Sequence, residues 1–389
     1  MRRRGGMCGA GLGLALMVAL SGPALRAGEP ARIESRVSEG RLLQFLAVGV
    51  RALAVGDAQR HLAVAFAAGR PQAACLLALN PRGDFATGEP IPLPLPEVGG
   101  LKGVTGEPVA VQFHPREPLL YLWRRRGAAA AKVEPFDHLD VFDVSNPQSI
   151  GVVTTACSGV AFQSELLPSA LALDARARRL YLPNLQVLNS DGKTFATALG
   201  YLTLDAQGLP AVKRGGELAL TLAPTGEASR RAAGFGSVAM GDRILLTVGW
   251  RGVLYWDTNN RLAAMNGFAF SELSRDDVML TANERWIYTV TIGMGGLACI
   301  RHVNGYPTLL PESFGVAGGN FQSAPVLMGG RAPALAIAGK DQLTIVGLTP
   351  EGSFSREHQM FKIPWLPERA PLGYSARADR LYIPVEGWP

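Results

Sequence analysis

The 389-residue sequence is short of charge, cysteine and histidine. Charged residues make up 18 % and hydrophobic residues 48 %. A disordered chain needs the reverse balance, so disorder is excluded. The cysteines form no C-x-x-C pair and no haem-attachment motif. His61, His114, His138, His302 and His358 are scattered singly, with no H-E-x-x-H, so metal ligation would need the fold to gather several of them. The G-x-S-x-G nucleophile elbow and the D-x-D-x-D-G calcium loop are both missing. Gly339-Lys340 and Gly192-Lys193-Thr194 lack the glycine that a phosphate-binding loop carries five residues earlier (Ala334 and Val187 stand there), so both read as turns. Gly293-Met294-Gly295-Gly296 and Gly318-Gly319 open no helix and read as turns between strands. No motif calls for a metal or a cofactor.

What is present begins with an address. Arg2, Arg3 and Arg4 precede an uncharged, largely apolar run of 14 residues, Met7 to Leu20, and small-residue cleavage sites follow at Gly22-Pro23-Ala24 or at Ala27. This is the pattern of a secretory signal peptide over residues 1–27, with one domain expected over 28–389. The run is short for a membrane span of about 20 residues, and no later run reaches that length. Cys8 stands at the start of the run, the wrong place for a lipid-bearing cysteine. The expected location is therefore the periplasm or the extracellular space. Removing the leader takes away four arginines and no acid, leaving 34 Lys+Arg against 32 Asp+Glu. So small an excess is no footprint for nucleic acid. Arg124-Arg125-Arg126 is the one basic run of note and is expected to be a solvated loop. Of the remaining cysteines, Cys75, Cys157 and Cys299, one pair would be compatible with export, but apolar settings favour three buried thiols.

The 46 glycines and 27 prolines argue against a mostly helical protein. One phrase recurs instead: an apolar strand, a tight polar turn, a second apolar strand. It begins at Ala52, Ala110, Ala170, Ser237, Asp277, Pro325 and Leu372. The turns centre near Asp57, Pro115, Ala175, Asp242, Asn283, Gly330 and Ala376, with gaps of 58, 60, 67, 41, 47 and 46 residues. Gaps of about 40–50 residues suit one four-stranded propeller blade, and longer ones hold loop insertions. Weaker outer strands follow, such as Leu139–Val144 before Ser145-Asn146-Pro147 and Gly200–Leu204 before Asp205-Ala206-Gln207-Gly208. The expected fold is all-β, a seven-bladed β-propeller. An open ring would expose two unpaired sheet edges. Residues 31–48 are therefore expected to complete the last blade with 371–389. A pair of packed sandwiches, the alternative, gives no reason for one phrase to occur seven times.

The copy Pro168-Ser169-Ala170-Leu171-Ala172-Leu173-Asp174 with Arg179-Leu180-Tyr181-Leu182-Pro183-Asn184 resembles the repeat of YVTN-type and lactonase-like seven-bladed propellers. Leu139–Pro147, LDVFDVSNP, is similar to the LVIVD-type repeat of secreted bacterial proteins. The resemblance implies a fold and leaves the chemistry open.

In such a ring the segment before each innermost strand reaches one mouth of the central channel. Those segments carry Arg51, Glu107, Glu165, Arg231, Asp277, Gln322 and Arg369, a set of both charge signs. It suggests a polar funnel for a small polar ligand or a protein partner, although a wet channel mouth is polar without any ligand. Asp276-Asp277 alone offers too few oxygens for a divalent ion. Trp250, Tyr255 and Trp256 suit packing between blades better than stacking on a ligand. The expectation is a binding or scaffolding protein. A lactonase-like hydrolytic enzyme is the alternative and would need acids, His or Arg converging at one mouth.

Overall fold

The computed structural model describes residues 15–21, 50–66, 73–86, 90–97, 106–125, 137–157, 171–188, 195–224, 234–240, 243–248, 252–257, 264–269, 278–283, 285–293, 295–303, 306–307, 312–329, 333–364 and 366–386. Every regular element among them is a β-strand. The strand β1 (Ala15–Ser21) is considered last. The first sheet holds β2 (Val50–Gly56), β3 (His61–Phe66), β4 (Ala74–Ala78) and β5 (Ile91–Pro92). The second holds β6 (Glu107–Phe113), β7 (Leu119–Arg125), β8 (His138–Asp143) and β9 (Gly151–Cys157). The third holds β10 (Ala172–Asp174), β11 (Arg179–Leu188), β12 (Phe195–Thr203) and β13 (Thr221–Pro224). The fourth holds β14 (Gly234–Met240), β15 (Arg243–Val248), β16 (Gly252–Asp257) and β17 (Ala264–Ala269). In the fifth, β18 (Val278–Ala282), β19 (Trp286–Thr291) and β20 (Gly296–Val303) follow in order, and β21 (Tyr306–Pro307) and β22 (Glu312–Gly315) both pair with β20. The sixth holds β23 (Val326–Met328), β24 (Ala334–Gly339), β25 (Gln342–Leu348) and β26 (Phe354–Lys362). In the last, β28 (Arg380–Glu386) lies between β27 (Gly373–Ser375) and β1. Five of these sheets are four-stranded, meandering and antiparallel.

Each recurring phrase forms the first hairpin of its own sheet. The hairpins form where the turn residue can cap its own turn. Asp174 Oδ1 accepts from the backbone N–H groups of Arg176 and Ala177 at 3.0 and 2.9 Å. Asn283 Oδ1 does the same for Arg285 and Trp286, at 2.9 and 2.8 Å. In the second sheet His114 takes this part, its Nδ1 accepting from Glu117 N–H at 2.8 Å. The outer turns repeat the device: Asn80 Oδ1 caps Arg82 and Asp84, and Asp205 Oδ1 caps Gln207 and Leu209.

The core lies between sheets, not within one. Tyr121, Trp123 and Val141 of the second sheet pack with Leu180 and Leu202 of the third. Tyr288 and Val290 of the fifth pack with Leu335 and Ile337 of the sixth. Middle strands are thus covered on both faces, and β19 and β24 are buried at every residue. That is why their sequences run apolar instead of alternating. First strands of successive sheets approach one another, β10 with β14, β14 with β18, β18 with β23, β23 with β27 and β27 with β2.

A second device ties sheets together. The Tyr121 hydroxyl donates to Gly208 O at 2.6 Å, Tyr288 to Gly352 O at 2.7 Å and Tyr382 to Gly83 O at 2.8 Å. In each case a tyrosine on the second strand of one sheet holds the outer turn of the next, the last sheet holding the first. At Gly83 and Gly352 the backbone has φ 77° and 101°, and a Cβ would drive into Ala378 and Trp286 respectively. Only glycine fits there without strain. Around Tyr382, Arg380 Nη1 pairs with Asp84 at 2.8 Å, and Ser375 donates to Asp57.

The chain ends differ from expectation. Residues 31–48 lie outside the described residues. The strand paired with β28 is β1, in register from Ala15 opposite Glu386 to Ser21 opposite Arg380. Cys75, Cys157 and Cys299 are unpaired; Cys75 and Cys299 are buried as expected, whereas Cys157, expected buried, is only half-buried. Among the described residues no helix is long and apolar enough to cross a membrane.

Candidate functional site

The antiparallel meander divides the loops between two faces. One face carries the turn after each first strand and the turn after each third strand. The other carries the segments leading into each first strand and the turns between second and third strands. Those of the expected mouth residues that are described, Arg51, Glu107, Gln322 and Arg369, belong to this second face. Arg51 and Glu107 are brought together: Arg51 Nη2 lies 3.0 Å from Glu107 Oε1, linking the first and second sheets. Arg51 is 52 % exposed and Glu107 22 %, so the pair meets solvent. Both residues sit on strands, β2 and β6, and not in the preceding loops as expected. Strands that start so early point these side chains across the sheet boundary.

Gln322 precedes β23 but is buried. Its Nε2 donates to Asn320 Oδ1 at 2.8 Å and its backbone N–H to Ala338 O at 2.9 Å, so it braces its own loop. Arg369 is exposed in the turn before β27. Glu165, Arg231 and Asp277 lie outside the described residues, as do Asp276 and Trp250. Tyr255 and Trp256 are consecutive residues of β16.

The reading of Arg124-Arg125-Arg126 as a solvated loop is corrected. Arg124 and Arg125 end β7, and Arg124 is fully buried. Its Nη2 donates to Asp140 Oδ1 at 2.8 Å, its Nη1 to Pro96 O at 2.7 Å, and Nε faces Asp140 Oδ2. Thr155 Oγ1 also donates to Asp140, at 2.9 Å. Burial pushes the Asp140 carboxyl above its ordinary range, while the Arg124 guanidinium and the Thr155 hydroxyl pull it back. The signal in the sequence was Asp140 itself, an acid inside the apolar strand LDVFDV. A buried cation requires such a partner.

Of the histidines, His61, His114 and His138 are buried on or beside separate strands. Burial lowers the pKa of His61 and His114. Among the described residues no group of three or more His, Cys, Asp or Glu side chains is placed to hold a metal ion. The described part of this face therefore offers an exposed acid–guanidinium pair, suited to hydrogen bonding a polar ligand, rather than an assembled set of catalytic acids.

Comparison with solved structures fixes the architecture. The chain superposes on a periplasmic gluconolactonase of Pseudomonas aeruginosa with a TM-score of 0.58 at 14 % identity, covering 90 % of this chain and 96 % of that one. The fold is a β-propeller. A 6-phosphogluconolactonase-like protein of Bacteroides fragilis gives 0.55 at 10 % identity, covering 83 % and 87 %. A similar protein of Bacteroides uniformis gives 0.52 at 14 % identity, covering 83 % and 88 %. No protein-family model matches the sequence, and no curated protein matches it. Likeness at this identity concerns the arrangement of blades, not the residues between them.

Proposed function

We propose that this chain is an exported, seven-bladed β-propeller that binds a small polar ligand or a protein partner on the face that carries Arg51 and Glu107. The observation that carries the reading is their 3.0 Å ion pair, solvent-facing and linking the first and second sheets. A braced ring holds such side chains in fixed positions, while its loops vary freely. The seven-blade count is supported by seven hairpins in seven sheets, and closure by the contacts of Tyr382, Arg380 and Ser375 with the first sheet. Processing after Ala27 would remove β1 from the edge of β28, and residues 31–48 are the segment we assign to that edge in the exported protein.

The test is a thermal-shift screen of sugars, sugar acids and short peptides on the mature protein. A ligand that stabilises the native protein, with the shift lost in Arg51→Ala and Glu107→Ala, supports the reading. Retention of the shift in both variants refutes it.

A second reading, a lactonase-like hydrolase, is favoured by the gluconolactonase and 6-phosphogluconolactonase-like neighbours. Glu165, Asp277 and Arg231 are its candidate groups. Turnover in a lactone and ester screen, abolished by Glu165→Ala or Asp277→Ala, would put it first.

A further inference from the structure

On the same face, but away from Arg51 and Glu107, a groove of about 800 Å³ opens between the outer parts of the fifth and sixth blades. Its walls come from three places. Gly318 lies in the turn after β22, at φ 75°. Lys340 and Asp341 form the tight turn between β24 and β25. Met360 and Lys362 end β26. The register sets Lys362 opposite Gln342 and Met360 opposite Thr344, so these four share one face of the sheet.

The floor is apolar and, among the described residues, open to solvent. Met360 is 45 % exposed, the most exposed large hydrophobic side chain among the described residues. Gln342 Nε2 donates to its Sδ at 3.1 Å and to Thr344 Oγ1 at 3.2 Å, which fixes the thioether in place. Gly318 keeps the opposite wall low: a Cβ there would touch Met360 Cε at 4.0 Å. The rim is cationic. Lys340 and Lys362 are both exposed, and neither has an ion-pair partner among the described residues. Asp341 is the single acid of the lining, and its backbone is committed to the loop, donating to Leu366 O and accepting from Ile363 N–H.

An apolar floor beneath two ammonium groups, against one carboxylate in the lining, suits a ligand with one anionic head and an apolar body. A neutral apolar molecule would leave the cations unused, and a cationic one would be repelled. The size lies within the range of small-molecule sites, about 300–1,000 Å³. We propose that this groove binds a single-chain amphiphilic carboxylate, its head at Lys340 and Lys362 and its body along Met360. The site is separate from the mouth and does not depend on the function assigned there.

The test is titration calorimetry on the full chain with dodecanoate, kept below its micelle-forming concentration, beside dodecanol and dodecyltrimethylammonium. Dodecanoate should bind more tightly than either. The double variant Lys340→Gln/Lys362→Gln should weaken it about tenfold, two exposed ion pairs' worth, and leave dodecanol unchanged. Met360→Glu should abolish dodecanoate binding. All three side chains are exposed, so the fold is preserved, which circular dichroism checks. Arg51→Ala should bind dodecanoate as the native protein does. No binding of dodecanoate, equal binding of the cationic analogue, or an unchanged double variant overturns the proposal.

Discussion

Replacing Tyr382 by phenylalanine isolates a single bond at the seam between the last blade and the first. The ring stays where it is, tilted against Phe85 with centroids 6.0 Å apart and packed with Leu62 and Val64. What is lost is the hydroxyl that donates to Gly83 O at 2.8 Å. A buried hydrogen bond contributes about 1 kcal/mol net, and a carbonyl stranded without a partner costs about 1–3 kcal/mol. Gly83 is buried, so water reaches its carbonyl poorly. The expected loss is therefore about 1–2 kcal/mol. Urea unfolding followed by tryptophan fluorescence should show a lower midpoint with an unchanged slope. Tyr121→Phe and Tyr288→Phe serve as internal comparisons, since their hydroxyls hold Gly208 and Gly352 in the same way. All three should cost similar amounts, and distant pairs should add. A Tyr382→Phe midpoint indistinguishable from the native one would refute the view that these hydroxyls brace the ring.

Three further outcomes are expected. Asp140→Ala strands a buried guanidinium and should cost about 3–5 kcal/mol, whereas Arg124→Met with Asp140→Leu should lie close to the native stability; urea midpoints decide between the two. His114 caps its turn through an unprotonated Nδ1, and burial holds its pKa below 6.5. Its contribution is full above pH 6.5 and is lost as pH falls through the lowered value. His114→Asn, which keeps a capping oxygen as Asn283 does, should reduce the fall in melting temperature between about pH 7.5 and 5.5. Gly352→Ala should destabilise by more than 1 kcal/mol, because a positive φ and a Cβ directed into Trp286 act together; a neutral result in thermal melts would show that the turn can re-form.

Some of this was legible in the sequence and some was not, for physical reasons. The seven hairpins were visible because strands buried on both faces are apolar throughout, and because capping residues such as Asp174 and Asn283 mark the turns. Outer strands were fainter because they meet solvent: β26 is largely exposed from Arg356 to Lys362, and its sequence SREHQMFK carries no apolar period. Three arginines in a row look solvated, and although Asp140 is visible as an acid in an apolar strand, only the pairing of β7 with β8 shows that it faces Arg124. The Arg51–Glu107 contact spans a blade boundary, and no local pattern encodes it. Lys340 and Gly318 are turn residues, as their sequence indicates, yet the groove they line joins residues of two sheets, which no local pattern encodes.

The two faces of the ring do different physical work. The three tyrosine hydroxyls, the Arg380–Asp84 pair and the capped turns at Asp174, Asn283, Asn80 and Asp205 all lie on the face opposite Arg51. There the outer turns at Gly83, Gly208 and Gly352 are each held by the neighbouring blade, so changing a residue of these turns disturbs two blades at once. On the other face the Arg51–Glu107 pair is solvent-facing, and the cations of the Lys340 groove contact no neighbouring blade's acid among the described residues. Apart from that one exposed link between the first and second sheets, these side chains hold no turn in place and are free to be chosen for a ligand. Substitutions on the braced face should therefore change stability and leave binding intact. Those at Arg51, Glu107, Lys340 and Lys362 should change binding and leave the urea midpoint within about 0.5 kcal/mol of native, as expected for surface positions. A large loss of stability at any of these four would mean that the second face is structural as well, and that the two faces do not divide the labour.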